Sequence, residues 1–228
     1  MFKIEKTSKR LEKDKIIVLV DGWGFNKYFY FIIKRFIPKD YGYLHYSYTD
    51  KILDKDPINT KNNIIQLIEL VETDINNLIS VKPRYIYLYG QSLGGLFCMI
   101  IADKINIKKI MLIAPGCNLA ESFWLGKYTQ NLKNEMIKDH HTTLEELKEE
   151  WKDVSPDSYF KNKSLNSNFY IILSKQDKAI PISNGKKLIN ILEEKNINFK
   201  LSWSKFSHKL TLLKELICVK NFKKWILK

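Results

Sequence analysis

The feature that most constrains this chain is residues 85–95, where an apolar run meets a glycine-flanked serine. The stretch reads Tyr-Ile-Tyr-Leu-Tyr-Gly-Gln-Ser-Leu-Gly-Gly. Its aromatic and β-branched residues predict a strand, and the apolar spacing of residues 93–104 predicts a helix. Gly90, Ser92 and Gly94 fit the pattern G-x-S-x-G, in which a strained turn holds a serine oxygen out at the top of a sheet. Ser92 is therefore the candidate nucleophile; the alternative is an ordinary exposed serine in a glycine-rich turn.

Length and composition favour one globular domain, residues 1–228. The chain has 45% hydrophobic and 28% charged residues, which is close to globular averages. No apolar run reaches the roughly 18 to 20 residues that cross a bilayer. Residues 1–15 lack the apolar stretch of about 7 to 15 residues that a secretory signal needs. We therefore expect a soluble, cytoplasmic protein with no transmembrane segment.

The net charge of +13 raises the question of a nucleic-acid or acidic partner. Of the 38 basic residues, only Arg10, Arg35 and Arg84 are arginines, although arginine is favoured for bidentate phosphate contacts and groove readout. The lysines are spread along the chain and mixed with acidic residues. We expect no nucleic-acid binding and a mostly solvated basic surface, which leaves open a patch for an acidic partner. The oligomeric state is not indicated.

Strands and helices alternate along most of the chain, which predicts a mostly parallel sheet with helices on both faces. Besides the strand before Gly90, strands are predicted at residues 16–20, 41–48, 109–114, 169–173 and 198–203. Helices are predicted at residues 25–36, 60–80, 93–104, 184–195 and 208–227.

Residues 117–166 break this alternation. They carry no strand signal but have helical patterns at residues 132–138 and 143–151, the second begun by Thr142 or Thr143 with glutamates in its first turn. We expect a small helical insertion that lies over the sheet as a lid. Its large apolar side chains are candidates to line a substrate pocket, namely Phe123, Trp124 and Trp151.

A serine hydroxyl needs a histidine as base and an acid that orients the histidine. His208 follows the last predicted strand, so the sheet delivers it to the same edge as Ser92. Asp177 is the one carboxylate in the loop after the preceding strand. Asp153 and Asp157, at the end of the insertion, are the rival acids. The alternatives are that His208 caps a helix and that Asp177 is a turn residue.

The backbone amides of Trp23 and Leu93 are the candidate oxyanion donors. Leu93 follows the nucleophile, and Trp23 lies between two glycines in the loop after the first predicted strand. These are the two positions that supply oxyanion amides beside a G-x-S-x-G serine. The alternative reading of Trp23 is a packing residue.

Taken together, the chain resembles the α/β-hydrolase superfamily over roughly residues 16–228. The resemblance is carried by the pattern around Ser92, by the order Ser92, Asp177, His208, and by the insertion after the strand that follows the nucleophile. The superfamily's first two antiparallel strands are missing or reduced, since residues 1–15 show little strand pattern. Asp21 stands where the family often has histidine, and a carboxylate turned inward there would oppose an oxyanion. Ser207 stands where the family usually has glycine.

The resemblance implies a serine hydrolase, similar to small carboxylesterases, that cleaves esters with small to medium apolar acyl groups through an acyl-enzyme. One rival is an acyl-carrier-protein methyl esterase or thioesterase whose lysines receive an acidic carrier protein. Another rival is a non-catalytic binding protein with a hydrolase fold. The odd, widely spaced cysteines Cys98, Cys117 and Cys218 and the four histidines lack disulfide or ligand spacing, so we expect no metal and no cofactor.

Overall fold

The computed structural model describes residues 1–24, 30–159 and 167–227, with the backbone alone at Tyr159 and Cys218. A seven-stranded sheet lies at its centre. The strands are β1 (Ile4–Lys9), β2 (Lys15–Val20), β3 (Tyr41–Tyr48), β4 (Tyr85–Gln91), β5 (Lys109–Ile113), β6 (Asn168–Gln176) and β7 (Phe199–Ser207). They lie in the order β1-β3-β2-β4-β5-β6-β7. Among the strand pairs of the described residues, only β1–β3 is antiparallel, so the predicted mostly parallel sheet is confirmed.

Helices cover both faces of the sheet, as the alternation predicted. They are α1 (Tyr30–Arg35), α2 (Pro57–Val81), α3 (Leu93–Lys104), α4 (Leu119–Leu125), α5 (Gln130–His140), α6 (Leu144–Glu150), α7 (Pro156–Tyr159), α8 (Ile182–Glu194), α9 (His208–Cys218) and α10 (Lys220–Leu227). Short 3₁₀ turns lie at Asp50–Ile52, Lys127–Thr129 and Lys152–Val154. None of the described helices combines the length and apolar character needed to cross a membrane.

The uninterrupted apolar run of β2 has two buried faces. Val18 packs in a core cluster with α2, α3 and α8, and Leu19 packs in a second cluster with α1, α9 and α10 on the other face. Successive side chains of a strand point to opposite faces, so both registers of β2 must be apolar. This arrangement explains why the strand shows no polar alternation.

The insertion between β5 and β6 is helical. It contains α4 to α7, and α6 begins with the expected capping box, in which Thr143 and Glu146 bond each other's backbone N–H groups. The last predicted residues of the insertion, 160–166, lie outside the described residues. The start of the predicted helix at residues 25–36 is also outside them, and α1 is described from Tyr30.

Two elements differ from the predictions. Residues 1–15 contain strand β1, which the pattern does not indicate because five of its six side chains are exposed; an exposed, lysine-bearing edge strand has no apolar alternation to detect. It is the single antiparallel strand of the described sheet, so the superfamily's first strands are reduced. The predicted closing helix is two helices, because Val219 adopts a left-handed conformation with φ 38° and ends α9.

Candidate active site

Ser92 occupies a strained turn between β4 and α3. Its backbone has φ 53° and ψ −121°, a region that residues other than glycine seldom enter and that typically marks functional sites. A Cβ atom added to Gly90 would overlap the backbone of Gly94, and one added to Gly94 would overlap the backbone of Asp21. The two glycines therefore allow the turn to close tightly beneath the serine.

His208 lies beside this serine as the first residue of α9. Its Nε2 is 2.9 Å from Ser92 Oγ, and its Nδ1 is 2.6 Å from Asp177 Oδ2. An ionised carboxylate only accepts hydrogen bonds, so Nδ1 carries the hydrogen and Nε2 is left as the acceptor for the serine hydroxyl. The residue before the histidine, Ser207, has φ −64°, a conformation for which no glycine is required.

Asp177 is held in place by its own loop after β6. Its Oδ1 accepts from the amides of Ala179 and Ile180, both at 2.8 Å, which leaves Oδ2 for His208. The rival acids point elsewhere: Asp157 accepts from Asn118 and Lys187, and Asp153 pairs with Lys61. The structure thus brings together Ser92, His208 and Asp177 and does not bring either rival to the histidine.

The loop after β2 passes directly over the nucleophile turn. A Cβ atom on Gly22 would lie 2.9 Å from Gln91 O and 3.3 Å from Ser92 Cβ. The indole Nε1 of the next residue, Trp23, donates to Asp50 O at 2.9 Å. Leu93 is the first residue of α3, where a backbone N–H has no intrahelical acceptor. The two predicted oxyanion residues, Trp23 and Leu93, line the same cavity as Ser92.

Asp21 does not point toward the nucleophile. Its Oδ1 is 2.6 Å from His45 Nε2, and both residues are 2% exposed. The His45 ring stacks on Tyr30 with 4.8 Å between the ring centroids. Burial raises the pKa of Asp21, and the hydrogen bond with His45 opposes this change. The carboxylate that departs from the family pattern is thus occupied in a buried pair, away from the site.

A cavity of about 420 Å³ opens at Ser92 and His208. Its walls are mainly apolar and come from the loop after β2, from the insertion and from α9. Of the predicted pocket residues, Phe123 lines it, whereas Trp124 and Trp151 are not among its lining residues. Trp151 is fully buried behind Phe123, edge to face with 5.2 Å between centroids. Helical spacing alone could not tell which of these aromatic residues faces the cavity.

Several lining residues were not anticipated from the sequence. Leu212 and Leu213 follow His208 by about one helical turn, a spacing that could have marked them as neighbours of the site. Tyr128 and Lys209 also line the cavity but are exposed. Nothing in the sequence distinguishes this lysine and tyrosine from the many others on the surface.

The described cysteines and histidines do not form a second reactive or metal-binding site. Cys98 and Cys117 are free and buried, and burial raises the pKa of both thiols, so neither is a ready thiolate. The side chain of Cys218 lies outside the described residues. Within the described ranges, no three His, Cys, Asp or Glu residues converge as a metal site.

A family model described as "Uncharacterised protein family (UPF0227)" matches residues 47–218. Comparison with curated protein sequences gave no match. Among solved structures, the capsule O-acetyltransferase of Neisseria meningitidis serogroup A superposes with a TM-score of 0.68 at 18% identity, over 99% of this chain and 91% of that one. Esterase B from Lactobacillus rhamnosis gives a TM-score of 0.59 at 11% identity, over 93% of this chain and 75% of that one.

The acylaminoacyl peptidase of Pyrococcus horikoshii gives a TM-score of 0.66 at 15% identity. The match covers 93% of this chain but 37% of the peptidase, so this chain corresponds to about a third of that protein's length. Identities this low show the fold alone. Together with the sheet topology, these likenesses confirm that the chain has the α/β-hydrolase fold.

Proposed function

We propose that this chain, which belongs to the Uncharacterised protein family (UPF0227), is a serine hydrolase that cleaves carboxylic esters through a covalent acyl-enzyme. The single observation that carries the proposal is the continuous hydrogen-bonded series from Ser92 through His208 to Asp177. A serine, a base and an orienting acid in this geometry are recognised by their roles and not by their position in the chain.

In the first half of the reaction, Ser92 Oγ attacks the ester carbonyl carbon while His208 Nε2 takes the hydroxyl proton. Asp177 keeps the proton of His208 on Nδ1 and stabilises the imidazolium that forms. The tetrahedral intermediate then collapses, and His208 gives the proton to the departing alkoxide. The alcohol leaves, and the acyl group remains on Ser92.

The negative charge that develops on the carbonyl oxygen needs donors at the site. We assign this role to the backbone N–H groups of Trp23 and Leu93, which line the same cavity as the nucleophile. Removal of one such donor costs about 10²–10³ in kcat in serine hydrolases. The pairing of Asp21 with His45 keeps a carboxylate away from this oxygen.

In the second half, a water molecule replaces the alcohol. His208 takes a proton from the water as it attacks the acyl carbon, and then returns a proton to Ser92 Oγ when the acid leaves. The mainly apolar cavity supports an apolar acyl group, and its volume of about 420 Å³ lies near the small end of ligand pockets. Small to medium acyl chains are therefore the proposed substrates.

We further propose that the chain is a single domain whose insertion, residues 117–166, acts as a lid. The support is that Phe123, Tyr128 and Thr129 of the insertion line the cavity together with residues of α9. A second candidate reaction, acyl transfer to an alcohol, is favoured by the extent of the likeness to the capsule O-acetyltransferase. Measuring both products after an acceptor alcohol is added separates transfer from hydrolysis. Transfer yields more of the new ester and less free acid as the alcohol concentration rises.

The test is a series of p-nitrophenyl esters of increasing acyl length, measured with the wild-type protein, Ser92→Ala and Ser80→Ala. Ser80 is an exposed serine at the end of α2 and serves as the matched control. We expect hydrolysis by the wild type and by Ser80→Ala, with kcat lower by about 10⁴–10⁶ in Ser92→Ala. Equal rates in all three proteins would refute the proposal.

A further inference from the structure

We propose that Lys209 makes this site selective for esters that carry an anionic group, such as a carboxylate or a phosphate, close to the ester bond. The inference rests on the proposed ester hydrolysis and adds a substrate class to it. It concerns an exposed cation that lines the cavity.

The described wall of the cavity carries a positive charge and no negative charge. Among the described lining residues, Lys209 is the one with a permanently charged side chain, and no carboxylate lines the cavity. Lys209 directly follows His208 in α9, and both residues line the cavity. A ligand that enters the cavity therefore meets a cation and no compensating anion.

The ammonium group of Lys209 is held by an aromatic ring and not by an acid. Its Nζ lies 4.5 Å from the centroid of the Tyr128 ring, and within the described part of the chain it forms no ion pair. A cation over the face of an aromatic ring is attracted to it. Both partners line the cavity, which sets this contact apart from lysine–aromatic contacts elsewhere, such as Lys223 over Phe36.

An anionic ligand gains from this arrangement in a way that a neutral one does not. Leu212 and Leu213 line the same cavity as Lys209, and an interaction between charges is stronger where apolar walls partly exclude water. Lysine has three donors that can bond to carboxylate or phosphate oxygens. The rest of the lining is suited to an apolar chain, so the structure favours an ester with one apolar and one anionic part.

The test uses two pairs of esters that differ in one charge. In the first pair the charge is on the acyl side: 4-nitrophenyl hydrogen glutarate and its neutral methyl ester. In the second pair it is on the alcohol side: 4-carboxyphenyl pentanoate and its neutral methyl ester. The measured quantity is the ratio of kcat/KM for the anionic ester to that for its neutral partner.

The variants are Lys209→Met, Lys209→Glu and Lys209→Arg, with Lys223→Met as the matched control. Lys223 has a similar aromatic contact, 4.6 Å from the Phe36 ring centroid, but does not line the cavity. We expect the ratio to fall about tenfold or more in Lys209→Met for at least one pair, since a hydrogen bond to a charged group is lost. The ratio should fall further in Lys209→Glu and stay near the wild-type value in Lys209→Arg and Lys223→Met. In the wild type, the ratio should decrease with added salt.

A failure of the role proposed for Lys209 can be distinguished from a failure of the proposed ester hydrolysis. If the wild type hydrolyses the esters but both ratios are the same in Lys209→Met and Lys209→Glu as in the wild type, the role of Lys209 is wrong and ester hydrolysis stands. If neither member of either pair is hydrolysed by the wild type, the proposed function itself fails and this inference fails with it.

Discussion

His208 Nε2 lies 2.9 Å from Ser92 Oγ, although 116 residues separate the two in the chain. The sheet accounts for this proximity. Ser92 follows β4, His208 follows β7, and the connecting strands are parallel, so all their carboxyl ends meet at one edge. Ligand sites of open α/β sheets form outside these strand ends.

The first prediction concerns how Ser92 and His208 act together. His208→Ala should lower kcat by about 10⁴–10⁶, because the serine loses its base. The double variant Ser92→Ala/His208→Ala should be hardly slower than either single variant, since groups that act as a unit are not additive. Steady-state kinetics with a p-nitrophenyl ester measures all three. Losses that multiply in the double variant would show that the two residues act independently.

The second prediction concerns the acid. Asp177→Asn should lower kcat by about 10⁴, as the equivalent change does in serine proteases, because an amide at this position favours the wrong histidine tautomer. Asp157→Asn is the matched comparison, since the side chains of Asp157 and Asp177 are similarly buried but Asp157 bonds to Asn118 and Lys187. It should reduce the free energy of unfolding and leave kcat within a few-fold. The reverse pattern would move the acid to the end of the insertion.

The third prediction concerns acyl-chain length. Phe123→Leu enlarges the cavity, so the preference for a longer over a shorter acyl chain should rise about tenfold, the scale of one methylene in an apolar pocket. Trp124→Leu, at the next position of α4, should leave this preference unchanged because Trp124 does not line the cavity. A shift with Trp124→Leu and none with Phe123→Leu would contradict the described orientation of α4.

The fourth prediction concerns the buried pair of Asp21 and His45. Burial raises the pKa of Asp21 above 3.8, so the folded protein retains a proton that the unfolded chain has lost. The wild type should therefore lose stability relative to Asp21→Asn as pH rises from about 3.8 through the raised pKa, by about 1.4 kcal/mol for each unit of the increase.

Urea unfolding of both proteins between pH 3.5 and pH 7, at about half-unit steps, measures this difference. The free energy of unfolding of Asp21→Asn minus that of the wild type should grow toward neutral pH. A difference that shrinks as pH rises would mean that the folded protein favours the ionised carboxylate of Asp21.

The residues that the structure brings together at the site were accessible from the sequence because each one follows a predicted strand. Ser92 and Asp177 follow β4 and β6, whose side chains are mostly buried, and buried strands have the clearest pattern. His208 follows β7, most of whose side chains are exposed or only partly buried, so it was found from its place after the last predicted strand. Ser92 also has flanking glycines. Because glycine has only a hydrogen as its side chain, these residues leave space for the turn. No comparable signal shows which face of α4 covers the cavity, because Phe123 and Trp124 are adjacent large aromatic residues on one short helix.

Other features depend on contacts that a pattern does not contain. Strand β1 is recognisable only through its pairing with β3, since its side chains are largely exposed. The break at Val219 is a backbone conformation that valine rarely adopts, so the sequence predicts a continuous helix there. The position of Asp21 depends on His45, which lies on the neighbouring strand β3.

If Ser92 is an activated nucleophile, it should react with a fluorophosphonate probe, and mass spectrometry of the peptides locates the adduct. Wild-type protein and Ser92→Ala are treated in parallel, before and after heat denaturation. We expect one probe adduct, on Ser92, in the folded wild type and none in Ser92→Ala or in denatured protein. An unlabelled folded wild type, or a label that persists in Ser92→Ala, would contradict the assignment of Ser92 as the nucleophile.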